Sequence, residues 1–141
     1  MATENLKHYK KYLKSLVKFA NAIGLKVEFK PEAGDGVYLA SYRKIRIDDD
    51  MTQAETISTL LHEIGHALDD FVSGDLGDIK VHKAYHAMYY GKPTKKQRAH
   101  VVRCEKKAWD NGVSVALHLK IRLGAWYFNH MHASINSYRF K

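Results

Sequence analysis

Two histidines and a glutamate within T-L-L-H-E-I-G-H-A-L-D-D, residues 59 to 70, are spaced for metal chemistry. His62 and His66 are four residues apart, so on a helix both imidazoles project from one face and can bind the same metal ion. Glu63 points to a neighbouring side of that helix, where its carboxylate can take a proton from water. The spacing predicts a metal site at His62 and His66 with Glu63 as general base. The alternative is a core helix that carries two exposed histidines.

Glu105 is the residue that we predict as the third ligand, because a catalytic zinc has three protein ligands and an open fourth position. It lies in line with the apolar face of its helix, where an unpaired carboxylate is costly to bury. Two alternatives stay open: Glu105 pairs with a basic group, or it lies at the margin of the apolar face. Asp69 shares the face of His62 and His66, and we predict that it accepts a hydrogen bond from an imidazole N–H. Ligation by Asp69 is the less favoured alternative.

The helix that carries the histidines has a clear start and end in the sequence. Thr52 and Glu55 form a T-x-x-E capping box, and the helix is expected to end near Ser73 and Gly74. Gly65 lies between the two histidines, where glycine costs about 1 kcal/mol relative to alanine. A packing or functional reason is therefore predicted for it. The apolar stripe of this helix consists of Ile57, Leu61, Ile64, Leu68 and Phe71.

The residues before this helix predict one more helix and a small sheet. Residues 3 to 23 have a helical apolar period, and Gly24 is placed to end that helix. K-V-E-F-K, V-Y-L-A-S-Y and R-K-I-R-I-D alternate as strands, with the turn P-E-A-G-D-G between the first two. These strands are expected to form a small antiparallel or mixed sheet.

The second half of the chain predicts helices. A loop over residues 74 to 78 is followed by a short helix over residues 79 to 90. A T-x-x-Q capping box at Thr94 opens a longer helix, which Asn111-Gly112 can kink or split. The aromatic, basic tail from Trp126 to Phe140 is expected to pack back as a last helix. The predicted fold class is therefore α+β.

Length and composition predict one folded domain over residues 1 to 141. The chain has 45% hydrophobic residues and 2 prolines, which is typical of a globular protein. Its single cysteine, Cys104, excludes an internal disulfide, suits a reducing compartment and is expected to be buried. The N-terminus has no apolar signal region, and no apolar run reaches the length of a membrane span. We predict a cytoplasmic protein with no membrane partner.

The net charge of +8 favours contact with polyanions at low salt. The basic residues are spread over three parts of the chain, and no nucleic-acid recognition motif accompanies them. A nucleic-acid partner is therefore the less favoured prediction, and a solvated basic surface is the favoured one.

Other histidines and tyrosines are candidates by residue type alone. His82 and His86 repeat the i, i+4 spacing without a clear third ligand, so a second metal site is the less favoured interpretation. His130 and His132 are predicted to lie at the surface or to pack. The residues eligible as hydrogen-bond donors to a reacting carbonyl oxygen, although packing is favoured for each, are Tyr85, Tyr89, Tyr90, His82, His86 and His100.

L-L-H-E-I-G-H-A-L-D-D followed by C-E-K-K-A-W resembles the gluzincin branch of zinc metallopeptidases. The order of helix, small sheet, H-E-x-x-H helix and E-x-x-A helix resembles compact ImmA/IrrE-type metallo-endopeptidases and small phage-encoded relatives. H-E-I-G-H-A-L-D-D-F is also similar to the catalytic helix of lethal-factor-type toxin proteases. The resemblance covers roughly residues 26 to 116 and implies a minimal zincin-like domain. It implies His62, His66 and Glu105 as Zn²⁺ ligands, and Glu63 as general base.

The activity that follows is zinc-dependent hydrolysis of peptide bonds in a protein or peptide substrate, in the host cytoplasm if the chain is phage-encoded. The resemblance also implies that an extended substrate pairs with the edge of the R-K-I-R-I-D strand. The alternative is a non-catalytic zinc-containing module that binds protein or nucleic acid. Glu63 favours hydrolysis, because a structural zinc has no need of that carboxylate.

Overall fold

The computed structural model describes residues 6–74 and 79–139, and its architecture is α+β, as predicted. The predictions for residues 3–5, for residues 75–78 of the loop and for Phe140 lie outside the described residues. The order of N-terminal helix, small sheet, histidine helix and helical C-terminal half is confirmed. The elements are α1 (Tyr9–Ala22), β1 (Lys26–Lys30), β2 (Gly36–Leu39), a 3-10 turn (Ala40–Tyr42), β3 (Lys44–Asp48), α2 (Gln53–Ser73), α3 (Ile79–Tyr90), α4 (Lys95–His118) and α5 (Ala125–Arg139).

The sheet is mixed, with the strand order β1-β3-β2. β1 runs parallel to β3, with Lys26 opposite Lys44, and β2 runs antiparallel to β3, with Gly36 opposite Ile47. β3 is therefore the central strand, and the prediction that the edge of R-K-I-R-I-D is open to a substrate is wrong. Alternation identifies a strand with one buried face, but it does not show which strands pair on its two sides. The outer strands of this sheet are β1 and β2.

α2 begins and ends where the sequence predicts. The Thr52 hydroxyl accepts a hydrogen bond from the Glu55 N–H, and the Glu55 carboxylate accepts one from the Thr52 N–H, both at 3.1 Å. Gly74 ends the helix in the left-handed conformation, with φ 68°, which glycine adopts without steric cost. The apolar stripe packs against the sheet, α4 and α5. Phe71, at 38% exposure, is where the stripe leaves the core.

α2 and α4 approach so closely that their backbones touch at Gly65. A Cβ atom on Gly65 would overlap the carbonyl oxygen of Ala108. The Asn111 side-chain amide donates a hydrogen bond to the Gly65 carbonyl oxygen at 3.0 Å. The packing reason predicted for Gly65 is therefore confirmed. Because Glu105 precedes Ala108 by three residues on α4, this contact also brings Glu105 onto the face of α2 that bears the two histidines.

α4 is one uninterrupted helix, so Asn111-Gly112 does not split it. A Cβ atom on Gly112 would meet the Tyr127 hydroxyl and the backbone of Leu61. This glycine therefore permits close packing of α2 and α5 against α4. The capping box at Thr94 is present, and Cys104 is buried at 5% exposure, both as predicted.

α5 packs back onto α2 and α4, as predicted for the aromatic tail. The fully buried Tyr127 donates a hydrogen bond from its hydroxyl to the Trp109 carbonyl oxygen at 2.7 Å. A second connection joins the Ser58 hydroxyl on α2 to Nδ1 of His130 at 2.6 Å. The first contact holds α5 against α4, and the second holds it beside the histidine helix α2.

Within residues 6–74 and 79–139, no helix combines the length and the apolar character that crossing a membrane requires.

Candidate metal centre

The three residues predicted as ligands come together between α2 and α4. Nε2 of His62 lies 3.1 Å from Oε1 of Glu105, and Nε2 of His66 lies 2.9 Å from Oε2 of the same carboxylate. One ligand atom from each of the three residues lies within 4.8 Å of the other two, so the group can hold a metal ion. Glu105 is 1% exposed, which places this carboxylate in the protein interior.

The spacing and the chemistry of these ligand atoms fit zinc. With metal–ligand bonds of about 2.1 Å, neighbouring ligands of a tetrahedral zinc lie about 3.4 Å apart. The contacts of Glu105 with His62 and His66 are shorter than this by about half an ångström or less. Two imidazoles and one carboxylate are a ligand set that catalytic zinc uses.

Of the two alternatives considered for Glu105, burial excludes a position at the margin of the apolar face, whereas pairing with a basic group stays open, because its partners are histidines. Its carboxylate lies on the buried face of α4, so it is not at the margin of that face. In the described part of the chain its ion-pair partners are the two imidazoles, and no lysine or arginine pairs with it. Burial of a carboxylate at 1% exposure is therefore compensated by the two histidines.

The charges of the site are strongly coupled. Burial acts to lower the pKa of His62, but the carboxylates of Glu63 and Glu105 outweigh it and raise that pKa to about 10. Burial acts to raise the pKa of Glu105, but His66 and His62 outweigh it and hold that pKa well below its usual range. The two carboxylates thus favour positive charge between them. A divalent cation can supply that charge in place of protons, which metal binding would release.

Glu63 lies on the floor of the site. It is 6% exposed, and its Oε2 is 3.2 Å from Nδ1 of His62. The same side chain lines the cleft above the histidines. Glu63 is therefore placed both to orient His62 and to reach a molecule in the cleft.

Asp69 does not contact an imidazole, so its predicted role is wrong. Its carboxylate accepts a hydrogen bond from Ser73 at 3.3 Å and pairs with Lys107 at 3.0 Å. Asp69 follows His66 by only three residues on α2, but Lys107 of α4 and Ser73 bind its carboxylate instead. The carboxylate that contacts Nδ1 of His62 is that of Glu63.

The ring of Trp109 packs against the ring of His62. The two rings are stacked, with centroids 4.2 Å apart and planes 10° from parallel, and Trp109 is 1% exposed. The sequence indicated only that Trp109 is on the inner face of α4. Trp109 follows Glu105 by four residues, so its position in the sequence predicts that both side chains lie on the same helix face.

Tyr85 is the residue among the six predicted donors that contacts the ligand set. Its hydroxyl donates a hydrogen bond to Oε2 of Glu105 at 2.7 Å. Burial and the charge of Glu105 raise the pKa of Tyr85 above its usual range, so the hydroxyl keeps its proton. Tyr89 and His82 line the cleft without such a contact. The residues that do not line the cleft are Tyr90, His86 and His100.

The histidines open into a cleft of about 530 Å³. One wall is formed by residues 34–38, which belong to the turn before β2 and to β2 itself, and the other walls are formed by α3 and α5. His130 lines the cleft and packs edge-on against Trp109, with ring centroids 5.3 Å apart. The α5 wall was missed from the sequence, although its members recur at helical spacing: His130, Ser134, Ser137 and Tyr138.

The second histidine pair, His82 and His86, does not join the candidate ligand set, although His82 lines the cleft. His82 and His86 are both exposed on α3. Among residues 6–74 and 79–139, only His62, His66 and Glu105 bring three metal-ligand atoms together. His132 is exposed, as predicted, whereas His130 is a packing residue that also faces the cleft.

Comparison of the chain with protein-family models, with curated proteins and with solved structures finds no match. The resemblance to gluzincins therefore stays a prediction. What the site can do is inferred from its own geometry.

Proposed function

We propose that this protein is a zinc-dependent metallo-endopeptidase that hydrolyses peptide bonds in the cleft above His62 and His66. The observation that supports the proposal is the convergence of both imidazoles with Glu105 on the floor of an open cleft, with the Glu63 carboxylate beside them. A structural zinc site usually has four protein ligands and no access for substrate. Three candidate ligands that face a cleft are instead typical of a catalytic site.

The proposed mechanism assigns proton transfer to Glu63. A zinc ion held by His62, His66 and Glu105 would supply Lewis acidity, which polarises the scissile carbonyl and acidifies water. Glu63 takes a proton from the attacking water and passes it to the nitrogen of the leaving amine. Its contact with His62, at 3.2 Å, keeps this carboxylate at the floor of the cleft, beside the proposed ligands.

Two further residues support the proposed ligands. The Tyr85 hydroxyl donates a hydrogen bond to Oε2 of Glu105 at 2.7 Å, which fixes that oxygen and leaves Oε1 facing His62. Trp109 stacks on His62 and limits rotation of its ring. Groups of this kind orient metal ligands, and their loss typically weakens metal binding by about 10–100-fold.

The test is the matched pair of variants Glu63→Gln and His62→Ala, in protein purified without a metal-affinity tag. Zinc content is measured by elemental analysis, and activity is measured on a library of fluorogenic peptides. Glu63→Gln should keep one zinc per chain and lose activity by a factor of about 10²–10⁴, because the amide oxygen can still accept a hydrogen bond from Nδ1 of His62 but cannot take a proton from water. His62→Ala should lose both zinc and activity.

Two results would contradict the proposal in different ways. Wild-type protein that carries no metal even after zinc is added would exclude the metal site itself. Bound zinc with no peptide cleavage, or with cleavage unchanged in Glu63→Gln, would indicate a non-catalytic zinc-containing binding module instead.

A further inference from the structure

A second groove lies between α1 and β1, at the opposite edge of the sheet from the cleft. β2 lines the cleft, whereas β1 is the outer strand on the other side of β3. Two strand spacings, about 10 Å, separate these edges. The groove is therefore independent of the metal centre. It is lined by Lys10, Leu13, Lys14, Val17, Lys18, Asn21 and Phe29.

One rim of the groove is a row of lysines. Lys10, Lys14 and Lys18 recur every four residues on α1, and all three are exposed. α1 contains no acidic residue, and in the described chain none of these lysines forms an ion pair. Like charges four residues apart on a helix repel each other. The row therefore has uncompensated positive charge that a bound anion would relieve.

The nearest acidic side chain on β1 does not neutralise this row. Glu28 pairs with Lys30, Lys44 and Arg46. Because side chains alternate across a strand, Glu28 lies on the sheet face opposite to that of Phe29. Its charge is thus engaged on the other side of the sheet from the groove.

The floor of the groove is apolar. Leu13 and Val17 of α1 are half-buried, and Phe29 of β1 is 39% exposed. Phe29 lies on the face of the sheet that carries the buried Ile47 opposite to it. An apolar side chain entering the groove would cover Phe29 and Val17 together.

β1 also offers backbone hydrogen-bonding groups at this edge. The Lys26 N–H donates to the Arg43 carbonyl at 3.0 Å, and the Lys30 carbonyl accepts from the Asp49 N–H at 3.1 Å. These bonds direct the backbone groups of residues 26, 28 and 30 toward β3. By the alternation of a strand, the N–H and C=O groups of Val27 and Phe29 point away from the sheet, where no described residue bonds them.

We propose that this groove binds an extended, acidic segment of another protein, which pairs with β1 as a fourth strand. Its backbone would bond to Val27 and Phe29, its apolar side chains would cover the floor, and its carboxylates would face the lysine row. A nucleic acid would contact the lysines but has no peptide backbone to pair with β1. Because side chains alternate across a strand, a segment that carries both its acidic residues and its Val, Leu or Phe residues at every second position, on the face turned toward α1, matches all three features.

The experiment uses the full-length protein and an array of labelled eight-residue peptides that carry two acidic residues (Asp or Glu) and two apolar residues (Val, Leu or Phe) at every second position, with Thr at the positions between them. Binding is measured by fluorescence anisotropy. The groove variant combines Lys10→Gln, Lys14→Gln and Lys18→Gln. The control variant combines Lys83→Gln, Lys92→Gln and Lys106→Gln, which are exposed lysines elsewhere that lower the net charge equally. Circular dichroism checks that both variants fold.

The groove variant should bind the best peptides at least tenfold more weakly, while the control variant changes their affinity less than twofold. Phe29→Thr keeps strand propensity and should also weaken binding tenfold. Of the two versions of the best peptide that are N-methylated at alternate residues, the one that loses the N–H groups facing β1 should bind tenfold more weakly, and the other should bind like the unmodified peptide. Zinc content should be unchanged in every variant, which separates this test from that of the metal site.

Several outcomes would overturn the proposal. One is an array in which no acidic peptide binds more tightly than its lysine-substituted counterpart. Another is poly-glutamate binding that equals the best peptide and is insensitive to Phe29→Thr, which would reduce the groove to a general anion surface. Tighter, groove-dependent binding of a single-stranded oligonucleotide or of phosphatidylserine vesicles would assign the surface to that partner instead.

Discussion

The chain contains two histidine pairs with the same i, i+4 spacing, and only one of them forms a candidate metal site. His62 and His66 lie on the buried α2, where Glu105 of α4 stands between their Nε2 atoms. His82 and His86 lie exposed on α3, with no third ligand atom beside them among the described residues. Spacing decides only whether two imidazoles can reach one ion. The third ligand comes from a neighbouring helix.

Removing one histidine from each pair should give the largest difference in zinc affinity. His62→Ala should weaken zinc binding by about a hundredfold or more, because one of three protein ligands is lost. His82→Ala should leave the affinity unchanged within twofold. Both affinities are measured by competition with a chromogenic chelator on untagged protein. Comparable losses in the two variants would show that the histidines on α3 take part in the same site.

The close contact of α2 with α4 is the second distinction between the pairs, and Gly65→Ala tests it. The added methyl group would overlap the Ala108 carbonyl oxygen, so the two helices must separate. Overpacking of this kind costs about 1–3 kcal/mol in the free energy of unfolding. Zinc affinity should fall as well, since Glu105 moves with α4.

Gly91→Ala is the matched control for Gly65→Ala. A Cβ atom on Gly91 would make only ordinary van der Waals contact with Ala87, at 3.7 Å. Its effect on the free energy of unfolding should stay within about 0.5 kcal/mol. Urea denaturation of both variants gives the comparison. If Gly65→Ala were equally neutral, the backbone contact would not be what holds Glu105 in place.

Tyr85→Phe tests how α3 contributes to zinc binding at His62 and His66. The substitution removes the hydrogen bond to Glu105 at 2.7 Å and keeps the ring. We expect zinc binding to weaken by about tenfold, the lower end of the range for groups that orient a ligand. Tyr89→Phe on the same helix removes a hydroxyl that bonds to Tyr138 at 2.8 Å and should change zinc affinity less than twofold. Equal effects would mean that the Tyr85 hydroxyl has no specific role.

The difference between the pairs also explains how much the sequence could predict. Residues within one or two turns determine where a helix starts and ends and which of its faces is apolar. The start of α2 at Thr52, its end at Gly74 and the helix face on which Glu105 lies could therefore be predicted. The packing of Gly65 was readable because glycine in mid-helix has an evident cost. Each of these signals is local in the chain.

Contacts between distant segments were not readable in the same way. Ser58 meets His130 across 72 residues, and β1 pairs in parallel with β3 although an antiparallel hairpin of β2 and β3 follows it. Six side chains were eligible as donors by type, and only the tertiary fold brings Tyr85 to Glu105. The sequence around one residue of such a pair does not identify its partner, because the backbone geometry that brings the two together depends on how the whole core packs.

Substitutions at Asp69 and its partner have the smallest predicted effects. They test whether helical spacing alone is enough to assign a role to a residue. Lys107, the partner of Asp69, is 56% exposed whereas the Asp69 side chain is 6% exposed, but a glutamine at position 107 can still donate a hydrogen bond to this carboxylate. Lys107→Gln should therefore change the free energy of unfolding by less than about 1 kcal/mol. Asp69→Asn, which retains the shape of the side chain, should change zinc affinity less than threefold, because Glu63 rather than Asp69 contacts the imidazole of His62. A tenfold or larger loss of zinc affinity in Asp69→Asn would restore the role that helical spacing alone assigns to Asp69, and would mean that its carboxylate turns from Lys107 toward a histidine when zinc is bound.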